Sequence, residues 1–251
     1  LCRPFEGICS VVRDGMIPGY YAYEAGQAAT GDIFAWFVKN ALPRSCFDEA
    51  QSRNIGLYDL LNEKASRLRV GESGLVALDW LNGNRSPLMN YDLTGMILGL
   101  TLRTAPGDLY RALLESTAFG ARKIMDTFID HGLPVRTLVA TGGLALKNPF
   151  LVQLYSDILG KSIHVPEVVN ASALGAAVCA AVAVGSERGG YDDFPEAVMR
   201  MVPQTGVDYR PNMENCRAYA ELYDIYSSLC FSMGEQGESA MKRLRKIAAN
   251  S

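Results

Sequence analysis

Apolar residues recur along this chain with two periods, and the places where the period changes mark its elements. Gly7 to Val12 is short and β-branched, Arg13-Asp14-Gly15 is a turn signal, and Met16 to Glu24 brings aromatics and a Pro-Gly pair. The opening therefore predicts a β-hairpin. From Thr30 the spacing becomes helical: Ile33, Phe34, Phe37 and Val38 share a face, with Thr30 placed as N-cap. A second helix is expected from about Leu57 to Leu68 on Leu57, Leu60, Leu61, Ala65 and Leu68. Leu75 to Leu78 predicts a buried strand. A polar, turn-rich stretch (Asn82 to Pro87) and a Gly-spaced segment (Thr94 to Leu100) follow it.

A long helix then opens at Pro106, carries Asp108 near its positive end and stops at Gly132. Its apolar stripe runs through Leu109, Leu113, Phe119, Ile124 and Phe128, interrupted by small residues from Ser116 to Ala121. Beyond it the pattern predicts a strand at Thr137 to Ala140, a helix at Phe150 to Leu159 and a strand at Ser162 to Val165. An Ala-rich helix at Ala173 to Val184 and a final helix from Glu214 to Leu229, open to extension past Gly237, complete the series. The order β-β-α, then β-α-β-α, predicts an α/β domain with one mixed β-sheet flanked by helices. No internal repeat or linker divides residues 1–251, so one domain is expected.

Composition narrows the function. A hydrophobic fraction of 49% over 251 residues supplies a core, and a net charge of -3 argues against a broad footprint for nucleic acid or anionic membrane. The basic run Lys242 to Lys246 suits the C-terminal end of a helix. No apolar run reaches the ~20 residues needed to span a bilayer. Six cysteines without CxxC spacing, and two histidines, make a zinc site unlikely, and free thiols suit a reducing, cytoplasmic setting. Cys179, inside the run Ala176 to Val184, reads as a small hydrophobe. His131 and His164 lack spaced partners and read as structural. The chain starts without Met and is expected to be a piece of a longer protein.

One local feature points to chemistry. Thr141-Gly142-Gly143 follows a strand and precedes a helix, so backbone there can approach a flat ring or a phosphate without Cβ interference. The same pair also suits a plain strand-to-helix turn. Asn148, at the start of the next helix, can cap it or hydrogen-bond a purine edge. With Gln153, Asp157-Ile158-Leu159-Gly160 and Val165-Pro166, the cassette from Leu138 to Pro166 resembles the adenosine motif of the sugar kinase, actin and Hsp70 superfamily. Ala173-Leu174-Gly175-Ala176-Ala177 looks like the small-residue helix that closes the C-terminal domain of FGGY carbohydrate kinases. Tyr23-Glu24-Ala25-Gly26-Gln27, Gly31 to Phe37 and Leu78 to Ser86 resemble the ribulokinase branch of that family. Asp92 to Gly95 and Leu98 to Thr101 continue the likeness.

The resemblance implies an actin-like ATPase (ribonuclease H-like) domain and a set of roles. Gly31, at a helix N-terminus, would face nucleotide phosphates. Gly142, Gly143 and Asn148 would hold the adenosine, and Glu24 would reach the sugar, a surface carboxylate being the alternative. Glycerol kinases carry Gln where this chain has Ala35, so that nucleotide contact is not carried over from the resemblance. The cofactors implied are ATP and Mg²⁺ carried on its phosphates, and the substrate a ketopentose, L-ribulose first. The partner implied is an N-terminal sugar-binding domain upstream, which carries the catalytic Asp. Asp14, Asp32 and Asp79 do not occupy that motif, so no catalytic residue and no metal ligand is expected on this chain, and alone it should be inactive. A homodimer stays open. Two rival readings remain: a kinase for another ketopentose or a pentitol, and a non-catalytic nucleotide-binding scaffold.

Overall fold

A 25-residue helix, α4 (Pro106–Asp130), runs through the centre of the molecule in the computed structural model, which describes residues 4–235 and 240–250. The remaining helices are α1 (Gly31–Asn40), α2 (Arg44–Ser52), α3 (Leu57–Ser66), α5 (Gly143–Lys147), α6 (Pro149–Leu159), α7 (Ala171–Val184), α8 (Phe194–Met201), α9 (Met213–Cys230) and α10 (Ala240–Ala249). The strands are β1 (Ser10–Arg13), β2 (Tyr21–Glu24), β3 (Val76–Leu78), β4 (Met96–Leu98), β5 (Leu138–Val139), β6 (Ile163–Pro166) and β7 (Gly206–Tyr209). Among the described residues no helix is long and apolar enough to cross a membrane.

The strands do not form one sheet. β1 pairs with β2 as the expected hairpin, β3 pairs with β4, and β5, β6 and β7 form a third, mixed sheet in which β5 is parallel and β7 antiparallel to β6. Every residue of α4 from Tyr110 to Gly120 is buried, so the helix is covered on all sides there. β5 is an edge strand of two residues, not the central strand that the expected adenosine loop would follow.

The small residues at the middle of α4 have a steric cause. A Cβ on Gly120 would lie 2.5 Å from Gln27 Nε2 and 2.6 Å from Asp79 Oδ2, so glycine admits both groups against the helix. Gln27 Nε2 donates to Asp79 Oδ2 (2.7 Å) and to the Thr117 carbonyl (2.8 Å). Arg111, also on α4, is buried. It pairs with Glu115 (2.8 Å) and donates to the carbonyls of Ala65 and Leu68.

α9 closes this core with one tyrosine-lined face. Tyr219, Tyr223 and Tyr226 pack around Phe119, and each hydroxyl donates to a carboxylate: Glu115 (3.0 Å), Asp126 (2.6 Å) and Asp79 (2.8 Å). The rings bury apolar area while the hydroxyls satisfy groups that water cannot reach. Trp80 is fully buried. After α9 a π-helical turn (Phe231–Glu235) leads towards α10; Gly237 lies outside the described residues. Arg245 of α10 reaches the Tyr91 carbonyl and Asp92, tying the basic helix down.

Beyond β5 the packing is lighter. Ala145, Val152, Ile163 and Val165 form a small second core under α5 and α6. α7 is apolar on all faces, yet only Val178 is buried, and the helix packs chiefly on α8. Cys179, expected to act as a small hydrophobe, is consequently exposed. Sequence reasoning missed α2, α8 and β7, although Asp193 caps α8 and Pro195 stands in its first turn. His131 stacks on Phe5 at 4.2 Å, and His164 pairs with Asp208 across β6 and β7 (2.7 Å); both serve structure.

Candidate nucleotide site

Three helix beginnings converge on one cavity of about 500 Å³. Gly31 opens α1, Gly143 opens α5, and Asn148 stands immediately before α6; all three line the cavity. Each start presents backbone N–H groups without intrahelical partners, which makes the region favourable to anions. The opposite wall comes from α3 and α4, with Tyr58, Asn62 and Tyr110. A smaller apolar cavity of about 170 Å³ adjoins the same turn, with Thr30 and Thr141 in its lining.

The two glycines answer different needs. Gly142 has φ +93°, a left-handed backbone that side chains rarely adopt, and it forms the turn out of β5. Gly143 is the first residue of α5 and has no positive φ. A Cβ there would meet nothing within 4 Å. The fold therefore requires glycine at 142 and not at 143; the missing side chain at 143 leaves room for something in the cavity. Gly31 is similar, since its Cβ would only touch Leu144 at 3.4 Å.

Asn148 caps α6 as expected, its Oδ1 accepting from the Leu151 amide (3.0 Å). Its Nδ2 donates to Asn62 Oδ1 (3.1 Å), so both ends of the amide are already engaged. The second Nδ2 hydrogen and one Oδ1 lone pair remain for a ligand. Sequence reasoning missed Tyr58 and Asn62. The available signal was an aromatic on the polar side of α3, four residues before an amide, where burial of Leu60, Leu61 and Ala65 leaves both off the core face.

Glu24 lies outside this cavity, at the end of β2. Arg85 donates to its Oε1 (2.5 Å) and Ser10 to its Oε2 (3.2 Å). The Gly26 amide donates to Ser86, and Asn82 donates to the Ala28 carbonyl, so residues 24–28 run alongside 82–86. Further along, Asp32, Trp36 and Asn82 line another cavity, of about 430 Å³. Among the described residues no group of three or more metal-ligating side chains comes together.

The family description "FGGY family of carbohydrate kinases, C-terminal domain" matches residues 1–184. The chain belongs to that family. A ribulokinase of Halalkalibacterium halodurans is 50% identical over 242 residues, covering 96% of this chain and 43% of the relative. One from Bacillus licheniformis is 47% identical over 245 residues, covering 98% of this chain and 44% of the relative. The crystal structure of xylulose kinase from Rhodospirillum rubrum superposes with a TM-score of 0.69 at 29% identity, over 86% of this chain and 40% of that one. The chain thus spans less than half the length of these relatives. The FGGY assignment agrees with the α/β, actin-like architecture expected from the Leu138 to Pro166 cassette, although the strands are divided among three sheets.

Proposed function

We propose that this chain is the ATP-binding half of a cytoplasmic, ribulokinase-like enzyme that transfers the ATP γ-phosphate to L-ribulose in arabinose breakdown. The observation that carries the reading is the cavity shared by Gly31, Gly143 and Asn148, with open space where the Gly143 side chain would be. The high identity to ribulokinases supports L-ribulose over other ketopentoses.

In this reading the purine and ribose pass over Gly142–Gly143, with the Tyr58 ring and the Asn148 amide as walls. The phosphates point to the α1 N-terminus at Gly31, where N–H groups and the helix dipole favour negative charge. Mg²⁺ would be held by those phosphates near Gly31 and would supply charge neutralisation there. Glu24, oriented by Arg85 and Ser10, accepts from sugar hydroxyls. The base that takes the sugar proton comes from an N-terminal domain, so no residue of this chain is assigned that role. The exposed apolar surface of α7 is where that domain docks.

Kinetics of the full-length protein test the nucleotide assignment. Gly143→Val fills the open space and should raise the ATP KM by roughly tenfold, about 1.4 kcal/mol, with little change in the sugar KM. Asn148→Ala should act in the same direction more weakly and also cost about 1 kcal/mol of stability through the lost cap. A Gly143→Val enzyme with normal ATP KM and a raised sugar KM would sink the adenosine assignment. Coupled ADP-release assays should favour L-ribulose over D-xylulose, and the 251-residue chain alone should turn over neither.

A further inference from the structure

The β5–β6–β7 sheet has two edges, and only one serves the nucleotide. β5 and β6 are parallel, so their N-terminal ends lie together at the end of the sheet opposite the Gly142 turn that follows β5. At that end Arg136 precedes β5, Lys161 and Ser162 precede β6, and Arg210 follows the antiparallel β7. All four line one cavity of about 380 Å³. None of the three cations forms an ion pair with a described residue. Asp208, also in the lining, is held by His164 Nδ1 at 2.7 Å.

Three positive charges against the single carboxylate of Asp208 leave this concavity net positive, in a chain whose net charge is -3. A bound anion removes that repulsion. Two guanidinium forks, an ammonium and the Ser162 hydroxyl match a doubly charged tetrahedral oxyanion better than a single carboxylate, which would leave charge unmet. The cavity volume falls in the range of small-molecule sites, roughly 300–1,000 Å³. We propose that this cavity is a second ligand site, separate from the nucleotide cavity, that binds the phosphate group of a small phosphorylated metabolite. The proposal stands apart from the kinase reading, because it uses none of the residues in that cavity.

Calorimetric titration of the intact protein, with the nucleotide cavity saturated by a non-hydrolysable ATP analogue, tests it. The probes are ribose 5-phosphate, inorganic phosphate and ribose. Ribose 5-phosphate should bind saturably and ribose should not, with inorganic phosphate weaker than the ester. Arg136→Ala/Lys161→Ala/Arg210→Ala should weaken the ester by roughly tenfold or more while circular dichroism stays unchanged. If the triple variant fails to fold, Lys161→Gln and Arg210→Gln singly carry the test, each weakening the ester by about threefold. Absence of saturable ester binding, an ester no tighter than free phosphate, or unchanged affinity in the variants overturns the proposal.

Discussion

α9 and α7 are both helices rich in residues that favour burial, and they meet opposite fates. α9 turns Tyr219, Tyr223, Tyr226 and Cys230 into the core and fastens three of them to carboxylates of α4 and the residue after β3. α7 is more apolar, yet buries Val178 alone. The difference teaches that hydrophobicity does not by itself seal a helix here. α9 has a polar face for water and an amphipathic face for α4, whereas α7 has no face suited to water and no described neighbour large enough to cover it. The first behaves as structure complete in itself, the second as a surface awaiting another one.

The comparison breaks most visibly at the carboxylates beneath α9. Glu115→Ala removes the partner of buried Arg111 and an acceptor for Tyr219, so denaturant unfolding should show a loss of about 3–5 kcal/mol. A loss below about 1 kcal/mol, within the range of exposed pairs, would mean that α9 is not locked as described.

Asp79 gives a pH-dependent version of the same test. Burial raises its carboxyl from 3.8 to about 6, although Gln27 and Tyr226 donate to it. The protonated acid is therefore favoured in the folded state. Its contribution is fully present below about pH 4 and is lost as pH rises through about 6, a span worth roughly 3 kcal/mol. Asp79→Asn should flatten that part of the stability profile relative to the parent. Parallel profiles for the two proteins between pH 4 and 7 would refute the assignment.

The smallest effect belongs to α7. Val184→Ser at its exposed end should change the stability of this chain by no more than about 0.5 kcal/mol. In the full-length protein the same change should cost measurably more if the N-terminal domain covers the helix. Equal values in the two contexts would place that domain elsewhere.

Regular periods made much of this legible. The α1 and α3 faces, the buried β3 run, the Pro106 start and Gly132 stop of α4, and the Asn148 cap all follow from spacing and local chemistry. The division into three sheets was not legible, because strand pairing is set by tertiary contacts that a strand's own period does not encode. The tyrosine–carboxylate contacts were hidden for the same reason, joining residues as much as 147 positions apart. At the site, the roles of Gly142 and Gly143 looked interchangeable in sequence; only backbone angle and the space at Cβ separate them. Tyr58 stood on a helix whose apolar face was obvious and whose polar face looked like ordinary solvent surface.

The tyrosine face of α9 bears on where this protein can be cut. The family match ends at residue 184, before α9 begins at Met213. A version trimmed to the shared family segment would keep Glu115, Asp126 and Asp79 but lose all three hydroxyls that bind them, and would expose Phe119 and the α4 face they cover. The segment the family description matches is therefore shorter than the packed core, whereas the ribulokinase relatives align over 96–98% of the chain and so include α9. Expression boundaries for the domain belong after Cys230, not at residue 184.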